Sequence, residues 1–161
     1  MSLEIEKKFL LRGLPVGIAE GTKILQGYLS AGNPEVRVRA KGGEFFLTRK
    51  GGEGFVRREE ECKISKEAFE ILWSLTTDAR IEKIRYEIVG GDGLKWEIDE
   101  FQTGLTEGLF LAEVELSNEA VVPQIPPAIA AVIESDVTTD PIYKNKNLAV
   151  TGALTGENSE S

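Results

Sequence analysis

Charged residues of like sign recur two apart along this chain: Glu4/Glu6, Arg37/Arg39, Lys83/Arg85, Glu97/Asp99 and Glu113/Glu115. Such a pair repels unless a counter-charge or a ligand lies between its members. Clustered carboxylates are hard oxygen ligands that suit Mg²⁺ or Mn²⁺. Converging Arg and Lys side chains suit a multiply charged phosphate chain, Arg by bidentate contacts and Lys as a compact charge. Other routes to catalysis are closed. The 161 residues include no histidine, which excludes His-ligated zinc and Ser-His-Asp or Cys-His catalysis. The lone cysteine, Cys62, excludes an internal disulfide and a Cys-rich metal site, and reads as packing filler.

Composition narrows the class further. The chain carries 27 acidic and 19 basic residues, a net charge of −8, which disfavours a nucleic-acid partner. With 29% charged and 41% hydrophobic residues it reads as an ordinary globular domain. The longest apolar runs are only a few residues, so neither a membrane span nor a membrane partner is expected. The start, Met1 to Lys8, is too charged for a signal peptide, and the expected location is cytoplasmic. The length suits one domain over residues 1–150, with a disordered tail over 151–161, as a monomer or homodimer.

The charged pairs need strands to position them. Period-2 alternation marks strands at 3–11, 22–30, 35–41, 44–50, 54–63, 81–89, 94–101 and 109–117. Gly32-Asn33-Pro34, Gly42-Gly43, Gly51-Gly52-Glu53-Gly54 and Gly90-Gly91-Asp92-Gly93 read as tight turns, so the neighbours are antiparallel. Ser65 reads as the cap of a helix carrying Phe69, Leu72 and Trp73 on one face. A second helix is expected from Pro126-Pro127 through Glu134, and a short one from Asn145 to Val150.

Alternate residues of a strand point to opposite faces. Glu4, Glu6 and Lys8 then oppose Leu3, Ile5 and Phe9. Arg37 and Arg39 oppose Val36 and Val38, and Lys50 sides with Phe46 and Thr48. Arg57, Glu59 and Glu61 share a face. Lys83 and Arg85 oppose Ile84 and Tyr86; Glu97 and Asp99 oppose Trp96 and Ile98; Glu113 and Glu115 oppose Val114 and Leu116. A solvated sheet face explains any one of these strands. The same-sign pairing, and the division into acidic and basic strands, favour a shared interior instead. Eight strands can close into a barrel that holds side chains or one small ligand. The fold expected is therefore mainly β with a few helices (α+β): a closed eight-stranded antiparallel barrel, its charges inside and its helices packed outside.

The set Glu4-x-Glu6-x-Lys8, Gln26-Gly27-Tyr28-Leu29, Val36-Arg37-Val38-Arg39, Phe46-Leu47-Thr48-Arg49-Lys50-Gly51 and Arg57-x-Glu59-x-Glu61 resembles the CYTH family, the triphosphate tunnel metalloenzymes. So do Lys83-x-Arg85-Tyr86, Trp96-Glu97-Ile98-Asp99-x-Phe101, Glu113-Val114-Glu115-Leu116 and Tyr143-Lys144-Asn145-x-x-Leu148-Ala149. The order matches over residues 3–149 and is most similar to the short bacterial branch associated with inorganic triphosphatase activity. The resemblance implies an eight-stranded tunnel in which Mg²⁺ or Mn²⁺ supports cleavage of inorganic triphosphate to pyrophosphate and phosphate. It implies that Glu4, Glu6, Glu113 and Glu115 hold metal, with Asp99 joining them or positioning a water. Lys8, Arg37, Arg39, Lys50, Arg57, Lys83 and Arg85 bind phosphate oxygens. Glu59 and Glu61 orient those cations or the attacking water. The catalytic set is then Glu4, Glu6, Lys8, Glu61 and Asp99. The rival readings are a nucleoside or thiamine triphosphatase, an adenylyl cyclase on the same site, and a polyphosphate-binding module without catalysis.

Overall fold

The computed structural model describes residues 5–52 and 58–152. Nine strands follow in chain order: β1 (Ile5–Leu11), β2 (Thr22–Ser30), β3 (Glu35–Lys41), β4 (Glu44–Gly51), β5 (Arg58–Ile64), β6 (Arg80–Val89), β7 (Lys95–Phe101), β8 (Phe110–Leu116) and β9 (Ile133–Asp136). Among the described residues three α-helices accompany them: α1 (Lys66–Trp73), α2 (Pro127–Ala130) and α3 (Asn145–Gly152). The first eight strands lie where alternation and turn residues place them. The first residues of the expected first and fifth strands, Glu53 and Gly54 of the expected turn between β4 and β5, and the expected disordered tail beyond Gly152 lie outside the described residues.

All pairings are antiparallel, in the order β5-β4-β3-β2-β6-β7-β8-β1-β9. The expected closed eight-stranded barrel is not formed. The sheet is open, with β5 and β9 at its ends. Part of the segment read as a helix ending at Glu134 is instead the ninth strand. The helix stops at Ala130, and Ile133 to Asp136 add to β1, pairing Phe9 with Asp136 and Leu10 with Ser135. The Val137 N–H donates to the Lys8 carbonyl at 2.9 Å. β9 thus occupies the edge of β1 that closure against β5 would need. The β-branched Val132 and Ile133 favour that extended course over further helix.

Open does not mean flat. β4 and β1 are six strand steps apart, which at ~4.8 Å per step is about 29 Å in a flat sheet. Yet Lys50 of β4 and Glu6 of β1 line one cavity of about 90 Å³. The sheet is therefore curled into a cup, and its inner face is the one that carries the charges.

Two apolar clusters hold this shape. On the outer face, Phe9, Trp96, Ile98, Ala112 and Val114 pack with Ile129 of α2. Also outside, α1 is capped by Ser65, whose Oγ accepts from the Ala68 N–H at 3.0 Å, and sets Phe69 against Phe45 of β4 at 5.0 Å between ring centroids. The second cluster lies on the inner face at one end: Tyr28, Ile81, Phe101 and Leu111 bury Leu148 and Ala149 of α3. Burying one such large side chain contributes about 1.5–3 kcal/mol. So α3, unlike the outer helices, packs inside the cup, and only the rest of the inner face is left to the charged residues.

Candidate active site

The strand register carries the charged face around the sheet. Glu6 lies opposite Glu115 and Lys8 opposite Glu113; Glu113 in turn lies opposite Glu97. Asp99 is opposite Arg85 and Arg37 opposite Thr48, while Lys50 is opposite Glu59 and Thr48 opposite Glu61. These side chains converge on a cavity of about 290 Å³. Among the described residues that line it, all but Asn145 are charged. The cations are Arg37, Arg39, Lys41, Lys50 and Arg85, and the carboxylates are Glu6, Glu59, Glu61, Glu97, Glu113 and Glu115.

The wall of this cavity is built around Asp99. Arg85 grips it with two parallel bonds, Nε to Oδ1 at 2.8 Å and Nη2 to Oδ2 at 2.9 Å, and reaches Glu97 Oε2 through Nη1 at 2.9 Å. Lys83 Nζ lies 2.8 Å from Asp99 Oδ2 and donates to Asn145 Oδ1 at 3.3 Å. Burial opposes ionisation of Asp99, but the adjacent Lys83 and Arg85 charges win and hold the carboxyl well below the usual range. Burial also works against the Arg85 charge, and its bonds and attraction to Asp99, then Glu97 and Glu113, raise it further above the ordinary value. One carboxylate cannot fully offset two buried cations. Lys83, completely buried, is pushed by desolvation down to about 7, with Asp99 only partly restoring it and Arg85 and Arg39 repelling it.

On the neighbouring strands β2 and β3, Arg39 Nε donates to Gln26 Oε1 at 2.8 Å, and Gln26 Nε2 donates to the Tyr28 hydroxyl at 2.9 Å. Burial first, then the Arg37 and Arg85 charges, lower Arg39 to about 10. Desolvation likewise raises Tyr28 above its usual value. Arg37 Nε is buried with no hydrogen-bond partner among the described residues. A buried donor on a cation is costly when unpaired. Thr48 Oγ1 donates to Glu61 Oε2 at 2.7 Å and so fixes that carboxylate at the cavity wall.

The acidic side is formed by β1 and β8. The carboxyls of Glu6 and Glu113 are in hydrogen-bonding contact. Burial disfavours the Glu113 charge, but that contact and the nearby Lys8, whose Nζ is 4.0 Å away, hold its carboxyl below the usual range. Among the described residues no group of three or more Asp, Glu, His or Cys side chains comes together that could hold a metal ion. Two adjoining carboxylates still fit a hard divalent cation, since Mg²⁺ keeps several waters and takes only one or two carboxylates from protein. Glu115 lines the same cavity.

The structure thus brings together Glu6, Arg37, Arg39, Lys50, Glu61, Arg85, Glu113 and Glu115 around one volume. Lys8 lines the adjoining smaller cavity. Lys83 and Asp99 lie behind the wall, engaged with each other and with Arg85. Glu4 and Arg57 are outside the described residues. Sequence reasoning assigned no role to Gln26, Glu35, Lys41 or Asn145. Strand parity was the available signal for Lys41 and Glu35, which share a face with Arg37 and Arg39, and for Gln26, which shares one with Tyr28. Asn145 had no such signal, because its place depends on where α3 docks.

No protein-family model matches the chain. It is 41% identical over 150 residues to a protein of Nitrosomonas europaea named inorganic triphosphatase, covering 91% of this chain and 97% of that one. It is 41% identical over 152 residues to a protein of the same name from Acetivibrio thermocellus, covering 92% and 94%. Among solved structures, the crystal structure of the inorganic triphosphatase NE1496 superposes with a TM-score of 0.70 at 37% identity, covering 97% of this chain and 99% of that chain.

Proposed function

The chain belongs to the CYTH-type inorganic triphosphatases, and from that premise we propose that it hydrolyses inorganic triphosphate to pyrophosphate and phosphate in the charged cup. The observation that carries this reading is the cavity of about 290 Å³ into which Arg37, with its buried unpaired Nε, converges with Arg39, Lys50 and Arg85. Cations fixed before substrate arrives stabilise charge developing on the leaving pyrophosphate without reorganising at the moment of reaction. Arg85 is fixed by Asp99 and Glu97, and Arg39 by Gln26.

Among the described residues that line the cavity, six carboxylates stand beside five cations, so a polyanion binds well only when the acids are offset. Mg²⁺ or Mn²⁺, held by Glu6 and Glu113 with Glu115 beside them, would supply that offset and Lewis acidity toward phosphate oxygens and water. Both oxygens of Asp99 are engaged by Arg85 and Lys83, which makes it a positioning group. Glu61, held by Thr48 at the cavity wall, is the carboxylate that orients the attacking water and takes its proton.

The test is phosphate release from triphosphate with and without chelator, for wild type, Arg37→Ala and Glu6→Ala. ATP and thiamine triphosphate are compared under the same conditions. The proposal fails if wild type with Mg²⁺ or Mn²⁺ leaves triphosphate intact, or if both variants turn over undiminished.

A further inference from the structure

The inner face of the sheet does not end with the main cavity. Along β2, β3 and β6 it runs from Tyr28, Glu35 and Ile81, beside α3, to Thr22, Lys41 and Glu87 at the other end. Around those last residues lies another cavity, of about 330 Å³, lined by Ala19, Glu20, Thr22, Lys41, Arg85 and Glu87. Lys41 and Arg85 also line the main cavity, so the two adjoin. Glu20 reaches this mouth because the chain entering β2 lies close on β6. Thr22 is opposite Arg85 in the register, and a Cβ on Gly21 would come within 2.9 Å of the Arg85 carbonyl oxygen. Glycine permits that approach.

The charge changes at this mouth. Beyond the shared Lys41 and Arg85, the described lining adds two carboxylates, Glu20 and Glu87, and no cation. Arg85 is already committed to Asp99 and Glu97. Lys95 Nζ lies 3.4 Å from Glu87 Oε1, with both side chains about half exposed, so it offsets Glu87 only in part. Glu20 forms no ion pair among the described residues. At the opposite end of the cup, Tyr28, Ile81, Phe101 and Leu111 bury Leu148 and Ala149. A phosphate chain too long for the main cavity therefore extends toward Glu20 and Glu87.

We propose that Glu20 and Glu87 set the upper length of the phosphate chain that this protein accepts. The proposal rests on the triphosphatase reading and deepens it. Phosphoryl groups in the main cavity meet Arg and Lys side chains. One more group would pass Lys41 and Arg85 and stand among carboxylates, with no cation to receive it. The discrimination is thus repulsive: it weakens the longer competitor and adds no contact to triphosphate. Glu20 contributes more than Glu87, because Lys95 stands beside Glu87.

The experiment uses the full chain and the variants Glu20→Gln, Glu20→Lys and Glu87→Gln. Glu82→Gln is the control, since Glu82 lies on the outer face of the same strand, 3.4 Å from Lys23. Calorimetry with Mg²⁺ present gives Kd for linear triphosphate and tetraphosphate, and phosphate release gives kcat/KM for each. The readout is the ratio between the two compounds, which a change in stability alone does not move. Wild type is expected to favour triphosphate in both measurements. Glu20→Gln should shift both ratios toward tetraphosphate by about fivefold, the scale of one like-charge contact across water at about 4 Å. Glu20→Lys should shift them further and Glu87→Gln less, with Glu82→Gln close to wild type. An unchanged Kd ratio in Glu20→Lys overturns the proposal. So does an equal shift in Glu82→Gln, or wild type that binds both compounds equally. Wild type that binds triphosphate but leaves it uncut overturns the hydrolase reading instead, and the Kd ratios then decide the role of the mouth by themselves.

Discussion

Arg85 and Asp99, directly opposite each other on β6 and β7, are joined fork to fork by two parallel hydrogen bonds of 2.8 and 2.9 Å deep in the inner face of the sheet. The pair sets the direction of the guanidinium that reaches the cavity, and its carboxylate also carries Lys83. Cross-strand neighbours of opposite charge are ordinary in sheets. Here the pair is almost fully buried, so removing one partner leaves charge stranded in a medium that solvates it poorly.

Asp99→Asn is therefore expected to destabilise the fold by about 3–5 kcal/mol, because Lys83 and Arg85 lose their shared counter-charge. Chemical denaturation followed by circular dichroism measures this. A loss under about 1 kcal/mol would mean that the buried cations find other compensation.

The same carboxylate predicts acid sensitivity. Asp99 is held below its ordinary value of 3.8, so on acidification the unfolded chain takes up this proton first. Its contribution is complete above pH 3.8 and lost as pH falls through the lower folded value. Wild type should lose stability more steeply than Asp99→Asn below pH 4 (the two curves converging in acid). Parallel curves would contradict the assignment.

Lys83 predicts the opposite limb. Its ammonium titrates near 7 when folded and at its ordinary 10.5 when unfolded. Between those values the unfolded chain holds more protons, so the destabilising effect of the buried charge is full below about 7 and relieved as pH rises. The stability of wild type relative to Lys83→Met should increase from pH 7 to pH 10. A flat difference would show that Lys83 keeps its proton throughout.

Glu6→Gln and Glu113→Gln should each raise the Mg²⁺ concentration for half-maximal triphosphatase activity by about tenfold or more, since partners that only orient a metal ligand already change affinity 10–100-fold. Without metal both variants should fold normally, because each removes one of two carboxyls in contact. Tm without metal, together with a metal titration of activity, tests this. An unchanged titration would move the metal elsewhere.

Trp96 is fully buried in the outer cluster, and its indole Nε1 has no hydrogen-bond partner among the described residues. Trp96→Ala should cost about 3–5 kcal/mol. Trp96→Phe should cost distinctly less, because it keeps a ring against Phe9 and leaves no polar group newly unpaired. Equal losses would show that ring contact is not what Trp96 contributes.

By itself, the sequence determined the eight long strands, their turns and the identity of the charged face. Each of these is local: alternation at period two assigns a face, and glycine-rich turns assign antiparallel neighbours. That is why Glu6, Arg37, Arg39, Lys50, Arg85 and Glu113 could be named from strand parity and motif order and then found around one cavity. Closure of the sheet was not local. It depends on which edge β1 leaves open, and the short β9, adjoining a proline-initiated turn of helix, takes that edge. The burial of Lys83 and Asp99 behind the wall, the docking of α3 inside the cup and the meeting of Asn145 with Lys83 depend on contacts between residues far apart in the chain. No periodicity records such contacts, because they are chosen by the global arrangement that buries apolar surface and sets buried charges such as Arg85 and Lys83 against Asp99.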